Sequence, residues 1–220
     1  MIGRDDHLPA VAPHELVPTA VRKRFEQPRV WTPEFTGDGR LRLDTHRPDT
    51  AASVLIPLVE RSGGLHVLLT RRTDHLHDHA GQVSFPGGRA DPQDVDVVAT
   101  ALREAEEEVG LPASAVQVWG TLPCYTTISS YVVTPVVGLV DSAASLRIDP
   151  FEVDEAFEVP LSFLMSPAHH QRHRWESGEE VREFLSMPWV GRGYRGVERE
   201  YFIWGATAAM LRNFYRFLSA

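Results

Sequence analysis

The stretch "GGRADPQDVDVVATALREAEEEVGL", Gly87–Leu111, decides the fold. Asp91 followed by Pro92 suits a helix start, with an acidic N-cap, proline in the first turn and acids at the positive end of the dipole. Gly110 is a natural stop. From about Val97, the residues Val98, Ala101, Leu102, Ala105 and Val109 recur at helical spacing and predict a buried stripe. Glu104, Glu107 and Glu108 then stand at i, i+3 and i+4, so three carboxylates converge on one face while Glu106 points elsewhere. Like charges at that spacing each cost a helix roughly 0.2–0.5 kcal/mol, and the negative end of the dipole adds to the penalty. A solvated acidic face is the plainest reading of such a helix. Here, however, "FPGG" (Phe85–Gly88) precedes it with backbone N–H groups able to approach an anion, and Arg103 is placed to orient a neighbouring carboxylate. A hard divalent cation, Mg²⁺ or Mn²⁺, would remove the repulsion, with Glu104, Glu107 and Glu108 as its ligands.

Working outward, "AASVLIPLVE" (Ala51–Glu60), the turn "RSGG" and "LHVLLT" (Leu65–Thr70) read as a β-hairpin. "VQVWGTL" (Val116–Leu122) and "YVVTPVVGLV" (Tyr131–Val140) are strand-like, and Pro135 predicts an edge or a bulge in the second. "RHRWE" and "EFLSMPWV" suggest another hairpin. Ala208, Leu211, Phe214, Tyr215 and Leu218 predict a C-terminal helix packed on the sheet. Near the start, "HELVPTAVRKRF" suits a short helix broken or begun at Pro18, followed by irregular chain to about Thr50. The expected organisation is an N-terminal extension, residues 1–50, packing on or near a domain of residues 51–220.

The 30 acidic and 22 basic residues give a formal net charge of -8, which disfavours nucleic acid and anionic membrane surfaces as partners. No apolar stretch approaches the roughly 20 residues that span a bilayer, and the N-terminus lacks the basic start and apolar run of a secretory signal. With Cys124 as the single cysteine, a cytoplasmic setting is expected.

The run Arg103, Glu104, Glu107, Glu108, Gly110, Leu111 resembles the second half of the signature of the Nudix hydrolases, R-E-x-x-E-E-x-G followed by an apolar residue. In the first half, Asp94 stands where that signature has a glutamate, with Asp96 beside it, and Arg103 falls one residue later than the general pattern. Upstream, "LLTRRTDHLHDHAGQVSFPGG" is similar to the segment that marks the coenzyme A pyrophosphatase branch, as are "TLPCYTTISSYVVTPVV", "EAFEVPLSFL" and "IWGATA". The resemblance covers about Ala51 to Leu218, with His77 where many relatives carry a basic residue.

This resemblance implies an α/β fold, an α/β/α sandwich on a mixed β-sheet, and a metal-dependent pyrophosphohydrolase that cuts coenzyme A or its derivatives to 3′,5′-ADP and 4′-phosphopantetheine or its acyl form. Glu104, Glu107 and Arg103 are then the catalytic candidates, with Glu104 also a candidate general base ahead of Glu152 and Glu155. Arg71, Arg72, His79, Gly87 and Gly88 are candidate substrate contacts, although a solvated strand end explains the two arginines equally well. The runner-up substrate is another nucleoside diphosphate such as ADP-ribose or a dinucleotide, and a non-catalytic binding module ranks below both. A monomer or homodimer is expected. Zinc held by His75, His77 and His79 with His169, His170 and His173 is a weaker alternative, because their spacing matches no zinc-ligand pattern. Cys124 has no histidine near it in sequence, and no G-x-S-x-G elbow is present.

Overall fold

Leu55 and Ile56 are neighbours in sequence, both wholly buried, and they belong to two different apolar cores. Such a strand is covered on both faces, which is why "VLIPLV" shows no polar alternation. The computed structural model describes residues 1–38, 49–74, 81–177 and 180–220. Its elements, in chain order, are β1 (Gly3–Arg4), α1 (Pro18–Glu26), β2 (Thr50–Arg61), β3 (Gly64–Arg72), β4 (Val83–Ser84), β5 (Gly87–Arg89), α2 (Val97–Val109), β6 (Val116–Thr121), β7 (Tyr125–Thr126), β8 (Tyr131–Val140), β9 (Val153–Pro160), α3 (Leu161–Leu164), β10 (Gln171–Ser177), β11 (Glu180–Arg192), β12 (Glu198–Trp204) and α4 (Gly205–Ser219).

The central sheet runs β4-β3-β2-β8-β6, with β9 also on β3, β5 on β2 and β7 on β8. β2 and β8 pair in parallel and its other strand pairs are antiparallel, so the sheet is mixed. One face packs Leu55, Leu68 and Val136 against Ala101, Ala105 and Val109 of α2. The other packs Ile56, Leu69 and Phe157 in a core shared with Leu211 and Phe214 of α4. This is the α/β sandwich expected. Leu211 is fully enclosed, and cutting it to alanine would cost about 2–5 kcal/mol.

The hairpin β2–β3 and the helices α1 and α4 follow the sequence expectation. So does the hairpin β10–β11, but it belongs to a second antiparallel sheet, β1-β10-β11-β12, that no local pattern announced. Pro135 corrects the expectation of an edge or a bulge at that residue: β8 is interior, between β2 and the pair β6 and β7, and the register shift of the β6–β8 ladder falls instead between Val118 and Gly120. The proline sits where the second neighbour changes from β7 to β6; its carbonyl accepts from Leu122 N–H at 2.9 Å on that side, where the ladder is interrupted. The missing N–H therefore costs the sheet no bond.

Between Val67 and Val54 the strands β3 and β2 stop pairing with each other, and β4 and β5 take their places. The short connection Phe85–Pro86 fills the opening, and Pro86 accepts from Leu55 N–H at 2.8 Å. This splayed end of the sheet is where α2 meets β5.

Candidate active site

Helix α2 starts later than the Asp91-Pro92 dipeptide suggested. Its N-cap is Asp96, whose carboxylate accepts from Ala99 N–H at 2.8 Å, and Asp91 instead caps the preceding turn through Gln93 N–H. Gly110 ends the helix in the left-handed conformation, φ 67°. Displacing the cap to Asp96 leaves Asp94 outside the helix and free to fold back over its first turns.

Asp94 grips Arg103. The guanidinium places Nε 2.9 Å from one carboxylate oxygen of Asp94 and Nη2 3.0 Å from the other, a forked pair. Thr100 Oγ1 and Asp91 N–H donate to the same carboxylate at 2.9 and 2.8 Å. Arg103 Nη1 reaches Glu104 at 2.9 Å and Glu107 at 3.0 Å, and Nη2 also donates to the carbonyl of Arg89 at 3.0 Å. These five contacts match the five N–H donors of a guanidinium. Arg103 holds Asp94 well below the usual carboxylate range, and Asp94, with Glu104 and Glu107, raises the pKa of Arg103. Asp94 thus orients the arginine, and the arginine bridges two glutamates.

Glu104 lies against the backbone of Gly88, where any side chain would collide with its carboxylate. Gly87 has φ 154° and packs on Ser53 and Val54 with no room for a Cβ, so it is sterically required, whereas a Cβ at Gly88 would displace only the Glu104 carboxylate. Burial raises the pKa of Glu104, and the charges of Glu107 and Glu152 add to this against the opposing pull of Arg103.

Glu108 is only 3% exposed, yet its carboxylate has long contacts: Gly87 N–H at 3.3 Å and Arg72 Nη1 at 3.5 Å. Burial pushes its pKa up to about 8, and Glu152 and Glu104 push the same way, against Arg72 and the Gly87 N–H. A carboxylate so enclosed and so weakly compensated lacks the close partners that buried charge ordinarily has. Glu107, in contrast, is 58% exposed at its side chain. Among the described residues no three His, Cys, Asp or Glu side chains are arranged as they stand to hold a metal ion. The Arg103 guanidinium stands between Glu104 and Glu107. The donor chemistry nevertheless fits a hard cation: three clustered carboxylates, one of them buried with no short bond.

The other candidates divide. Arg72 comes to Glu108 and so joins the cluster, whereas Arg71 pairs with Asp154 and, at 2.9 Å, with Asp74. Glu152 precedes β9 and its charge is felt at both Glu104 and Glu108. Glu155 faces the other way: it is wholly buried, accepts from Tyr201 Oη at 3.0 Å and pairs with Arg199 at 3.3 Å. Of the two later acids, only Glu152 is brought toward the acidic helix. His75, His77 and His79 lie outside the described residues. His169 stacks on Phe163, His170 is within 2.8 Å of the Leu164 carbonyl and 2.9 Å of Arg212, and His173 is 2.7 Å from Ser186 Oγ, so these three serve separate local contacts. Sequence reasoning did not foresee the Asp94–Arg103 clamp or the Arg72–Glu108 pair. An acid nine residues before an arginine has no helical phase to signal contact, and Arg72 lies on a strand 36 residues before Glu108, where no local period connects them.

A family model described as NUDIX domain matches residues 49–184. Proteins named "Uncharacterized Nudix hydrolase NudL", from Escherichia coli O1:K1 / APEC and Shigella boydii serotype 18, are each 45% identical over 164 residues, 74% of this chain and 79% of theirs. Among solved structures, a MutT/nudix family protein from Enterococcus faecalis aligns over 92% of this chain and 74% of its own, with a TM-score of 0.49 and 11% identity. Matched by the family model over more than half its length and by these relatives over 74% of it, the chain belongs to the Nudix family, hydrolases of nucleoside diphosphate derivatives that generally use divalent metal ions.

Proposed function

We propose that the protein hydrolyses the diphosphate linkage of coenzyme A or its derivatives, releasing 3′,5′-ADP and 4′-phosphopantetheine or its acyl form. The choice of coenzyme A is supported by the segment Leu68–Gly88, similar to the coenzyme A pyrophosphatase branch. The observation that carries the hydrolytic reading is the cluster on α2, where the enclosed Glu108 has only long contacts, to Gly87 N–H and Arg72, and one arginine holds Glu104 and Glu107 on the same helix.

In this reading Glu104, Glu107 and Glu108 hold Mg²⁺ or Mn²⁺. When bound, the metal supplies polarisation of the phosphoryl oxygens, a lower pKa for the attacking water and charge compensation for the departing phosphate. The chain does the positioning. Arg103, fixed by Asp94, sets the directions of Glu104 and Glu107, so it acts through the glutamates. Gly87 and Gly88 keep the backbone close and bare, and Arg72 faces the cluster with a positive charge. A water oxygen attacks one phosphorus, the bridging P–O bond breaks, and the water proton passes to Glu104, with Glu152 the second candidate base.

The test is incubation with coenzyme A and Mg²⁺ or Mn²⁺, with a metal-free control and Glu107→Gln, and product identification by mass. The expected result is 3′,5′-ADP with 4′-phosphopantetheine from the metal-containing wild type alone. Cleavage of ADP-ribose in preference to coenzyme A would overturn the substrate assignment and leave the cluster's role intact.

A further inference from the structure

Arg71 and Arg72 end β3, and their side chains part company. Arg72 goes to Glu108; Arg71 goes to Asp154 and Asp74 and lines a cleft of about 340 Å³ between the β3–β4 edge and β12. That volume falls within the roughly 300–1,000 Å³ of small-molecule pockets. Besides Arg71, its lining includes Gln82, Glu200, Phe202 and Trp204.

The charge of this cleft argues against a phosphate. Asp74 and Asp154 pair with Arg71, Asp154 is shared with Arg195 and Arg199, Arg199 also pairs with the buried Glu155, and Glu200, which makes no ion pair among the described residues, puts these four carboxylates one charge ahead of the three arginines. Its walls suit a flat ring. Phe202 and Trp204 are 41% and 38% exposed, large for apolar rings of a folded chain, and both are braced: Trp204 by Phe184 at 5.6 Å between centroids, Phe202 by His173 at 5.9 Å. Braced, exposed aromatic faces beside a carboxylate can stack a nucleobase and accept a hydrogen bond from it.

We propose that this cleft is the nucleobase subsite, taking a purine ring with an exocyclic amine, the ring against Phe202 and Trp204 and the amine donating to Glu200. The proposal rests on the reading of α2 as the diphosphate-cutting site. Arg71 and Arg72 are consecutive, their Cα atoms about 3.8 Å apart, but their side chains leave opposite faces of β3, so the cleft and the partner of Glu108 meet around the end of that strand. The ribose would bridge the end of β3.

The experiment is binding of 5′-AMP to the full chain in EDTA, followed by calorimetry, with inosine 5′-monophosphate and ribose 5-phosphate as comparison ligands. The expected result is saturable AMP binding, weakened about tenfold by Phe202→Ala, kept by Glu107→Gln, and not competed by ribose 5-phosphate. Inosine monophosphate, which lacks the amine, should bind more weakly than AMP, and Glu200→Gln should shrink that difference while sparing the fold at an exposed position. No saturable AMP binding, unchanged affinity in both cleft variants, or equal competition by ribose 5-phosphate would overturn the proposal. Hydrolysis is read separately. Wild type that binds AMP as expected but cleaves neither coenzyme A nor ADP-ribose would support the cleft and overturn the hydrolytic reading. Metal-dependent cleavage with AMP affinity indifferent to the cleft would do the reverse.

Discussion

Two carboxylate clusters of this molecule have opposite electrostatic character. On the second-sheet side, Glu34 accepts from Arg172, Arg212 and Arg216 at 2.7 to 2.8 Å, while Asp5 pairs with Arg172 and Arg212. Burial opposes ionisation of Glu34, but Arg212 and Arg172, with Arg216, outweigh it and hold the carboxyl at about 2. On α2, burial prevails, and Glu108 is raised to about 8. The first cluster is charge-balanced by arginines of the chain, although Asp5 Oδ2 and Arg212 Nη2, 3.2 Å apart, make no hydrogen bond, and it ties residues before β2 to α4. The second is left short of positive charge. A carboxylate whose partners are all internal reads as structure, and one enclosed without close partners reads as a place for something the chain does not itself supply.

This contrast can be broken by substitution. The largest expected effect is on turnover: Glu107→Gln should lower kcat by about a hundredfold or more, because a metal contribution is worth several kcal/mol. Its stability should change by less than about 0.5 kcal/mol, since the side chain is mostly exposed. Chemical denaturation beside the rate assay checks both; a variant that unfolds would place Glu107 among structural residues. Glu34→Ala should do the opposite. It leaves the fully buried Arg212 with Asp5 as its remaining carboxylate partner and should cost about 3 kcal/mol with the rate of the folded fraction kept.

A finer prediction concerns Arg103→Lys. Lysine keeps the charge but cannot fork to Asp94 while also reaching Glu104 and Glu107. Loss of about 10–100-fold in kcat/KM is expected, by analogy with groups that orient metal ligands. Steady-state kinetics with Asp94→Asn in parallel would show the two variants failing alike if the clamp acts as one unit.

The smallest effect is on pH dependence. The pKa of Glu34 is depressed on folding, so its contribution is fully present above about 4.5 and is lost as pH falls toward about 2. With partial exposure discounted, that contribution is about 2 kcal/mol. Denaturation midpoints between pH 5 and pH 2.5 should therefore fall less steeply for Glu34→Gln than for wild type; parallel curves would remove the pair from the stability account.

The two clusters also differ in how far the sequence disclosed them. The glutamates of α2 share one helix, so i, i+3 and i+4 spacing brought them together on paper, and the glycines before the helix marked the close backbone. Asp94 was visible as a departure from the expected pattern, but its grip on Arg103 depends on Asp96 capping the helix in place of Asp91. Glu34 and Arg212 are 178 residues apart, and no local period connects them. Likewise, β11 and β12 showed no sign that they would form a second sheet, since strand pairing is a tertiary choice and each strand's own pattern is compatible with several partners.

The most direct measurement is Mn²⁺ binding, followed by electron paramagnetic resonance, to wild type, Glu107→Gln and Glu34→Gln. The account predicts saturable binding by wild type and Glu34→Gln, and clear loss of affinity in Glu107→Gln. Equal binding by all three, or none by wild type, would contradict it.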